Sequence, residues 1–316
     1  MRHTNFVPHG VIPAVILPFN DDLSIDEAGF RAHLRDVGAT EGLSAITINA
    51  HSTEVASCTF DEQRRVHEIT QEELGTKLPV VHGIWADGSL EAARIARQAT
   101  ADGASALLVF PPAPFTMGQS PAMAVAHFKR IADASDLPII AFQYPLATGQ
   151  GYPNETLLRM CEEVPSIRGI KDWAGTVQQH EWHVRTLQNL PQPVNVLSTQ
   201  SSWLMSSLVL GCKGLLSGSG SVISDLQAKL FRAVQGNDLA EARKVNDRIY
   251  PLARAFYASP WADMHNRMKE ALVLLGRLKK AVVRPPLVKI QQSEIAGIKQ
   301  ALTEAGLLDG KKRDAA

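Results

Sequence analysis

The 316-residue chain has little cysteine and no excess of charge of either sign. Its 32 lysines and arginines balance 32 aspartates and glutamates, and no run of five basic residues occurs. This composition does not favour nucleic acid as a partner. The three cysteines have no metal-ligand spacing and are too few for a disulfide framework, which indicates a reducing compartment.

Long hydrophobic runs are also missing. The N-terminal residues lack the apolar core of a signal peptide. No segment approaches the roughly 18 uninterrupted apolar residues that a membrane span needs. We therefore expect a soluble, cytoplasmic protein that contacts neither membrane nor nucleic acid.

The sequence does contain a unit that recurs eight times: an apolar run, a turn rich in glycine, proline or serine, and a segment of helical periodicity. The apolar runs predict strands over residues 11–17, 43–49, 79–84, 106–110, 138–142, 167–171, 194–197 and 214–216. The periodic segments predict helices over 26–37, 61–74, 89–102 with Ser89 as N-cap, 121–134, 154–163, 176–187, 202–210 and 222–234. Further helices are predicted over 239–258, 262–275 and 293–305, the second with a core stripe of Met264, Met268, Leu272 and Leu275.

Eight strand–helix pairs are the number in a (β/α)8 TIM barrel. The competing fold, an open doubly wound sheet, usually carries a glycine-rich phosphate turn after its first strand, where this chain has Leu17-Pro-Phe-Asn-Asp21. We therefore predict an α/β protein with a (β/α)8 barrel over residues 1–236. A C-terminal helical extension with a polar tail is predicted over residues 237–316.

Candidate functional residues come from the C-terminal ends of the predicted strands, where barrels of this type form their active sites. Lys171 ends the sixth strand, and burial there would lower its pKa, so that a neutral amine could form a Schiff base with a carbonyl. Ser52 and Thr53 after the second strand could hold the carboxylate of a 2-oxo acid. Tyr144 or His51 could carry protons. Ser217, at the end of the eighth strand, is a further substrate-binding candidate.

The chain resembles the dihydrodipicolinate synthase/N-acetylneuraminate lyase family over essentially its whole length. The resemblance rests on Gly169-Ile-Lys-Asp172, on Ala50-His-Ser-Thr-Glu54 with Glu62 at the expected distance, on Pro18-Phe19 and on Gly211-Cys-Lys-Gly-Leu-Leu-Ser217. It implies imine formation on Lys171, a Ser52 hydroxyl on the carboxylate of pyruvate or another 2-oxo acid, and a homo-oligomer, usually a tetramer or dimer. It implies no metal and no organic cofactor, because the lysine itself supplies the electron sink.

Five positions depart from the family pattern. Phe142 replaces the catalytic tyrosine, His51 replaces the second hydroxyl of the proton relay, Pro112-Ala113 replaces a tyrosine pair, and Ala147 replaces the arginine that grips the second substrate. Because residues two apart on a strand face the same side, Tyr144 could share the cavity with Phe142. We hypothesise that Tyr144 and His51 together replace the missing relay.

Structural alternatives stand beside these roles. Lys171 could pair with Asp172, Tyr144 could simply pack beside Pro145, and His51 could be a hydrogen-bonded substitute for threonine. We expect Glu54 to satisfy loop amides and His82 to be a hydrogen-bonded core histidine. His180 and His183 lack the spacing of a zinc signature and are expected on a solvated helix face.

Other functions also remain open. The same imine chemistry could serve a hydratase-aldolase or a dehydratase of a 2-oxo sugar acid. Because the relay is incomplete, the barrel could bind an oxo acid without turning it over. A phosphosugar enzyme could instead use the loop Ser217-Gly-Ser-Gly-Ser221, since barrels often bind phosphate after their last strands.

Overall fold

The computed structural model describes residues 3–308, and these form one sheet of eight parallel strands in the order β1-β8-β7-β6-β5-β4-β3-β2. The strands are β1 (Gly10–Pro13), β2 (Ile46–Ile48), β3 (Val80–Ile84), β4 (Ala106–Val109), β5 (Ile139–Gln143), β6 (Ile167–Asp172), β7 (Asn195–Ser198) and β8 (Gly214–Ser217). Isolated bridges between Val11 and Leu43 and between Ala14 and Thr47 bring β1 against β2 and close the sheet. The predicted (β/α)8 barrel is confirmed.

Eight helices alternate with the strands: α1 (Glu27–Gly38), α2 (Phe60–Leu74), α3 (Ser89–Ala101), α4 (Pro121–Ala132), α5 (Asn154–Glu163), α6 (Val177–Leu187), α7 (Leu204–Val209) and α8 (Gly220–Gln235). Local capping sets several of their starts; Thr59, for example, forms a capping box with Glu62 before α2. The predicted N-cap of α3 is wrong, because Gly88 occupies the cap and Ser89 is already helical. The Ser89 hydroxyl lies 2.9 Å from Nδ1 of His127 instead.

The first two strands are much shorter than predicted. Residues 14–17 are buried and apolar, but only Ala14 and Val15 make backbone contacts with the neighbouring strands. An apolar run indicates that its side chains are buried in the core. Buried residues need not form the backbone hydrogen bonds of a β-sheet. The prediction therefore placed the run correctly and overestimated its strand length.

Three further helices, α9 (Leu239–Phe256), α10 (Met264–Leu274) and α11 (Gln292–Glu304), follow the barrel. Met268 and Leu272 of α10 are fully buried, as the predicted core stripe requires, while Met264 and Leu275 are only partly buried. The division at residues 236 and 237 stays a prediction, and the end of the polar tail lies outside the described residues. No helix within residues 3–308 is long and apolar enough to cross a membrane.

The barrel interior is filled by apolar side chains, among them Ile12, Val81, Leu108, Ile140 and Leu216. A polar group at the end of a strand therefore contacts, on one side, an apolar core that excludes water. The loops at the C-terminal ends of the strands, together with α10, cover it from the other.

Candidate functional site

A small cavity of about 20 Å³ lies at the C-terminal end of the barrel and contains the amine of Lys171. We call it the lysine cavity. It is lined by Ala14, His51, Ser52, Phe142, Lys171, Trp173, Thr199, Gly218, Tyr257, Met264 and His265. Strands from opposite sides of the barrel and α10 thus converge on one lysine.

Lys171 is only 5% exposed, on a strand that pairs with β5 at Phe142 and with β7 at Leu197. Burial lowers the pKa of its amine from 10.5 to about 7, because the charged form loses its hydration. Its Nζ lies 4.0 Å from the centre of the Phe142 ring. An amine with this pKa is substantially neutral near pH 7, as a nucleophile must be.

The alternative of a Lys171–Asp172 ion pair is wrong. Adjacent strand residues point to opposite faces, and Asp172 points away from the barrel axis toward α6. Oδ2 of Asp172 accepts hydrogen bonds from Nδ1 of His180 at 2.7 Å and of His183 at 2.8 Å, while Oδ1 accepts from the backbone of Ala174. Burial alone would raise the pKa of this carboxyl, but the two imidazoles hold it below its usual value.

The same cluster corrects the expected solvated face of α6. His180 and His183 are 1% and 0% exposed, and their ring Nδ1 atoms tie α6 to the end of β6. A sequence signal for this existed, since Val184 and Leu187 follow at helical spacing and are buried on the same face. The cluster anchors the strand end that carries Lys171.

His51 and Tyr144 lie together, as the relay hypothesis requires. The Tyr144 hydroxyl is 2.7 Å from Nε2 of His51. Burial, and secondarily the charge of Lys171, lowers the pKa of His51 to about 3, and burial raises the pKa of the Tyr144 phenol well above 10. Both groups are therefore uncharged around neutral pH. Their hydrogen bond can pass a proton between the cavity, which His51 lines, and Tyr144 behind it.

The three predicted substrate-binding hydroxyls have different surroundings. The Ser52 hydroxyl is buried, lines the lysine cavity and has no hydrogen-bond partner among the described residues. The Thr53 hydroxyl is engaged in its own loop, accepting from the backbone of Ala50 at 2.7 Å and donating to its carbonyl at 2.9 Å. The Ser217 hydroxyl lies 2.9 Å from that of Ser219. Of these three, only Ser52 offers a free hydroxyl to the cavity, and the roles of Thr53 and Ser217 stay predictions.

Several lining residues were missed from the sequence, and His265 on α10 is the most important. It is 7% exposed, and burial, followed by the charges of His51 and Lys171, lowers its pKa well below 6.5. Its ring approaches Gly218 so closely that a Cβ there would lie 2.7 Å from Nε2. Met268 and Leu272 lie at +3 and +7 from it, so helical periodicity placed His265 on the buried face. Nothing in the sequence placed that face over the barrel.

A buried ion pair fastens α10 to the loop that carries His51. Lys269 is paired with Glu54, and its Nζ also donates to the Val282 carbonyl at 2.8 Å. The second Glu54 oxygen accepts from the backbone N–H of Arg284 at 2.9 Å. The expected structural role of Glu54 is correct, although its partners come from the C-terminal helical region and not from its own loop.

His82 and the serines that follow β8 are hydrogen-bonded within the protein. His82 is 3% exposed and bonded to His67 at 2.8 Å and Asn49 at 3.2 Å, which confirms a satisfied core histidine. After β8, the Ser219 hydroxyl accepts from Gln227, and the Ser221 hydroxyl, in the first turn of α8, donates to the Ala14 carbonyl. These hydroxyls are already bonded within the protein, so nothing here favours a phosphate site.

A buried strand-end lysine beside a neutral, hydrogen-bonded histidine–tyrosine pair is the arrangement of a class I aldolase type of barrel enzyme. The model of the dihydrodipicolinate synthetase family matches residues 7–305, and the chain belongs to that family. The predicted family is confirmed. So is the predicted class of function and enzyme, a Schiff-base-forming lyase or aldolase of the dihydrodipicolinate synthase type.

Individual relatives span nearly the whole chain. The 4-hydroxy-tetrahydrodipicolinate synthase of Gluconacetobacter diazotrophicus is 30% identical over 300 residues, covering 95% of this chain and 98% of its own. That of Methanopyrus kandleri is 28% identical over 304 residues, covering 96% and 98%. Among solved structures, an E. coli K12 prophage protein of the dihydrodipicolinic acid synthase family in complex with pyruvate has a TM-score of 0.87 at 23% identity, covering 95% and 99%. At 23% identity, the similarity to this solved structure supports the fold alone.

Proposed function

We propose that Lys171 forms an imine with pyruvate or a similar 2-oxo acid and that the enzyme makes or breaks a carbon–carbon bond next to it. The observation that carries this proposal is the buried amine of Lys171, with a pKa of about 7, in a cavity with the unpartnered hydroxyl of Ser52. The amine supplies the nucleophile and the hydroxyl supplies a donor for the substrate carboxylate.

The reaction begins when the neutral amine attacks the ketone carbon to give a carbinolamine, which takes up one proton and loses water to give the protonated imine. This imine is the electron sink, so the adjacent methyl group loses a proton and becomes an enamine. The enamine carbon then bonds to an acceptor carbonyl carbon, whose oxygen takes up a proton. Hydrolysis frees Lys171, and the reverse sequence is aldol cleavage.

The proton steps fall to the His51–Tyr144 pair. His51 is a neutral imidazole near pH 7, and its Nε2 lies 2.7 Å from the Tyr144 hydroxyl, so the contact provides a route by which one proton could pass between the two rings. Thr53 and Ser217 are proposed to bind the substrate beside Ser52, with their hydroxyls bonded to the backbone of Ala50 and to Ser219 in the structure. This assignment replaces the relay tyrosine with residues that the chain does contain.

Reductive trapping with pyruvate and borohydride tests the proposal. We expect an adduct on Lys171, none in Lys171→Ala, and an unchanged adduct in the control Lys213→Ala, whose lysine is exposed before β8. The absence of an adduct with any 2-oxo acid would contradict the proposal. Full turnover in both Tyr144→Phe and His51→Ala would contradict the relay alone.

The activity named for the relatives is a separate question. The resemblance places a carboxylate-gripping arginine at the position of Ala147, which is exposed in a short turn after β5. The absence of this arginine, together with Phe142 at the tyrosine position, argues against dihydrodipicolinate synthase activity itself.

We also propose a cytoplasmic homo-oligomer, which rests on the resemblance and on exposed apolar side chains. Met117, in the segment after β4 where the resemblance places a tyrosine pair that reaches across a subunit interface, is 87% exposed, and Leu90 is 75% exposed. Light scattering coupled to size exclusion would test the association. A monomer at micromolar concentration would contradict it.

A further inference from the structure

An apolar groove of about 350 Å³ lies directly beside the lysine cavity. The two spaces share His51, Trp173, Met264 and His265 as walls, so a molecule in the groove lies next to whatever is bound to Lys171. We call it the tryptophan groove. Its remaining walls are largely apolar and include Val55, Ala56, Trp261, Ala262, Pro286 and Leu287.

Aromatic rings form a continuous wall from the lysine outward. The Trp173 ring is 5.6 Å from Tyr144 and 5.2 Å from Trp261, measured between ring centroids. Trp261 remains 50% exposed, which leaves a large aromatic face uncovered at the mouth of the groove. Such a face gains stability from a flat apolar ligand that removes it from water.

The charges that line the groove also favour an uncharged ligand. Glu54 is the only acid or base other than histidine that lines the groove within the described residues, and both its oxygens are engaged, one by Lys269 and one by the backbone of Arg284. Burial lowers the pKa of both His51 and His265, so neither supplies a positive charge near pH 7. A second carboxylate placed here would lose its hydration without gaining a cation, which is costly.

We propose that the tryptophan groove binds the carbonyl partner of the enamine, and that this partner is an uncharged aldehyde with an aromatic body. This inference rests on the imine chemistry proposed for Lys171. In the bond-forming direction the enamine carbon attacks the aldehyde carbon, the aldehyde oxygen takes a proton, and water releases a 4-aryl-4-hydroxy-2-oxo acid from the lysine. In the other direction that acid is cleaved to pyruvate and the aromatic aldehyde.

The test compares two aldehydes with pyruvate as the donor: benzaldehyde, and succinic semialdehyde, which carries a carboxylate. Product formation is followed by chromatography and mass spectrometry. The wild-type enzyme is expected to have a kcat/KM at least about tenfold higher for benzaldehyde. Trp261→Ala should raise the KM for benzaldehyde about tenfold with a smaller effect on kcat, because the ring is proposed to bind the aldehyde and is not a member of the His51–Tyr144 pair.

Two further variants make the comparison specific. Tyr250→Ala removes an exposed aromatic side chain of α9 that lies outside the groove, and it should leave both aldehydes unaffected. Ala262→Arg places a cation in an exposed wall position and should shift the preference toward succinic semialdehyde. Equal effects of Trp261→Ala and Tyr250→Ala would overturn the role of the groove.

Trapping of pyruvate on Lys171 in the same preparations separates the two proposals. Without an adduct, the proposed imine chemistry itself fails. With an adduct, either a preference for succinic semialdehyde or no turnover of benzaldehyde overturns the inference about the groove and leaves the imine intact.

Discussion

The titration of Lys171 is the most direct consequence of its burial. A neutral amine is required for attack on a carbonyl, so the rate of imine trapping follows the neutral fraction of this one side chain. Its pKa is lowered from 10.5 to about 7. At pH 7 about half of the amine is neutral, which is roughly a thousandfold more than an exposed lysine provides.

The perturbation is a change of pH, and the size of the response follows from the pKa. Between pH 6 and 7 the initial trapping rate should rise about fivefold, and between pH 7 and 9 only about twofold, since the amine is then nearly all neutral. An unshifted lysine would give about a tenfold rise per pH unit throughout this range. When both curves are normalised at pH 6, they separate by about 90-fold at pH 9.

Initial rates can be measured with pyruvate and cyanoborohydride, quantifying the modified Lys171 peptide by mass spectrometry. Lys171→Arg serves as the control for background labelling. A rate that still rises tenfold per unit above pH 8 would refute the argument that burial neutralises this amine. A midpoint near pH 7 would support it.

The same pKa has a consequence for stability. In the unfolded chain Lys171 has its ordinary pKa of 10.5, so between pH 7 and 10.5 the unfolded state binds more protons than the folded state. The contribution of Lys171 to the free energy of unfolding therefore increases with pH across this window and is lowest below pH 7.

Three further predictions concern the surroundings of the lysine. Ser52→Ala should raise the KM for pyruvate about tenfold without changing the melting temperature, because its hydroxyl has no protein partner; unchanged kinetics would remove Ser52 from the site. Asp172→Ala should lower the free energy of unfolding by about 3 kcal/mol in urea titrations, because two buried imidazoles lose their acceptor. A loss below about 1 kcal/mol would show that the cluster does not anchor α6 to β6. Lys269→Met should cost about 3–5 kcal/mol by leaving Glu54 buried and unpaired, and adding Glu54→Gln should recover part of that loss; additive losses in the double variant would contradict the pairing.

Local features of the sequence were enough to predict most of the barrel. Helix ends agree to within about two residues for most elements, and α5 (Asn154–Glu163) agrees at both ends. Caps, turns and hydrophobic periodicity act over a few residues, so they can be recognised without knowing the fold. The Gly169-Ile-Lys-Asp172 segment likewise carried the prediction of the reactive lysine.

Contacts between distant segments could not be predicted in the same way. His180 and His183 were expected in solvent, because their environment depends on which way Asp172 points at the end of β6. His265 was missed because periodicity shows that a helix has a buried face but not what that face covers. Its position above Lys171 depends on the buried pair between Lys269 and Glu54, which are far apart in the chain.

The sequence by itself determined the barrel, the family and the identity of the lysine, since repeated patterns and short motifs encode all three. Only the tertiary structure decided that about half of Lys171 is neutral at pH 7, that the Tyr144 hydroxyl lies within hydrogen-bond distance of His51, and that two tryptophans line the groove beside them. The physical reason is desolvation. A pKa or a groove depends on every group that excludes water from it, and here those groups come from strands and helices throughout the chain.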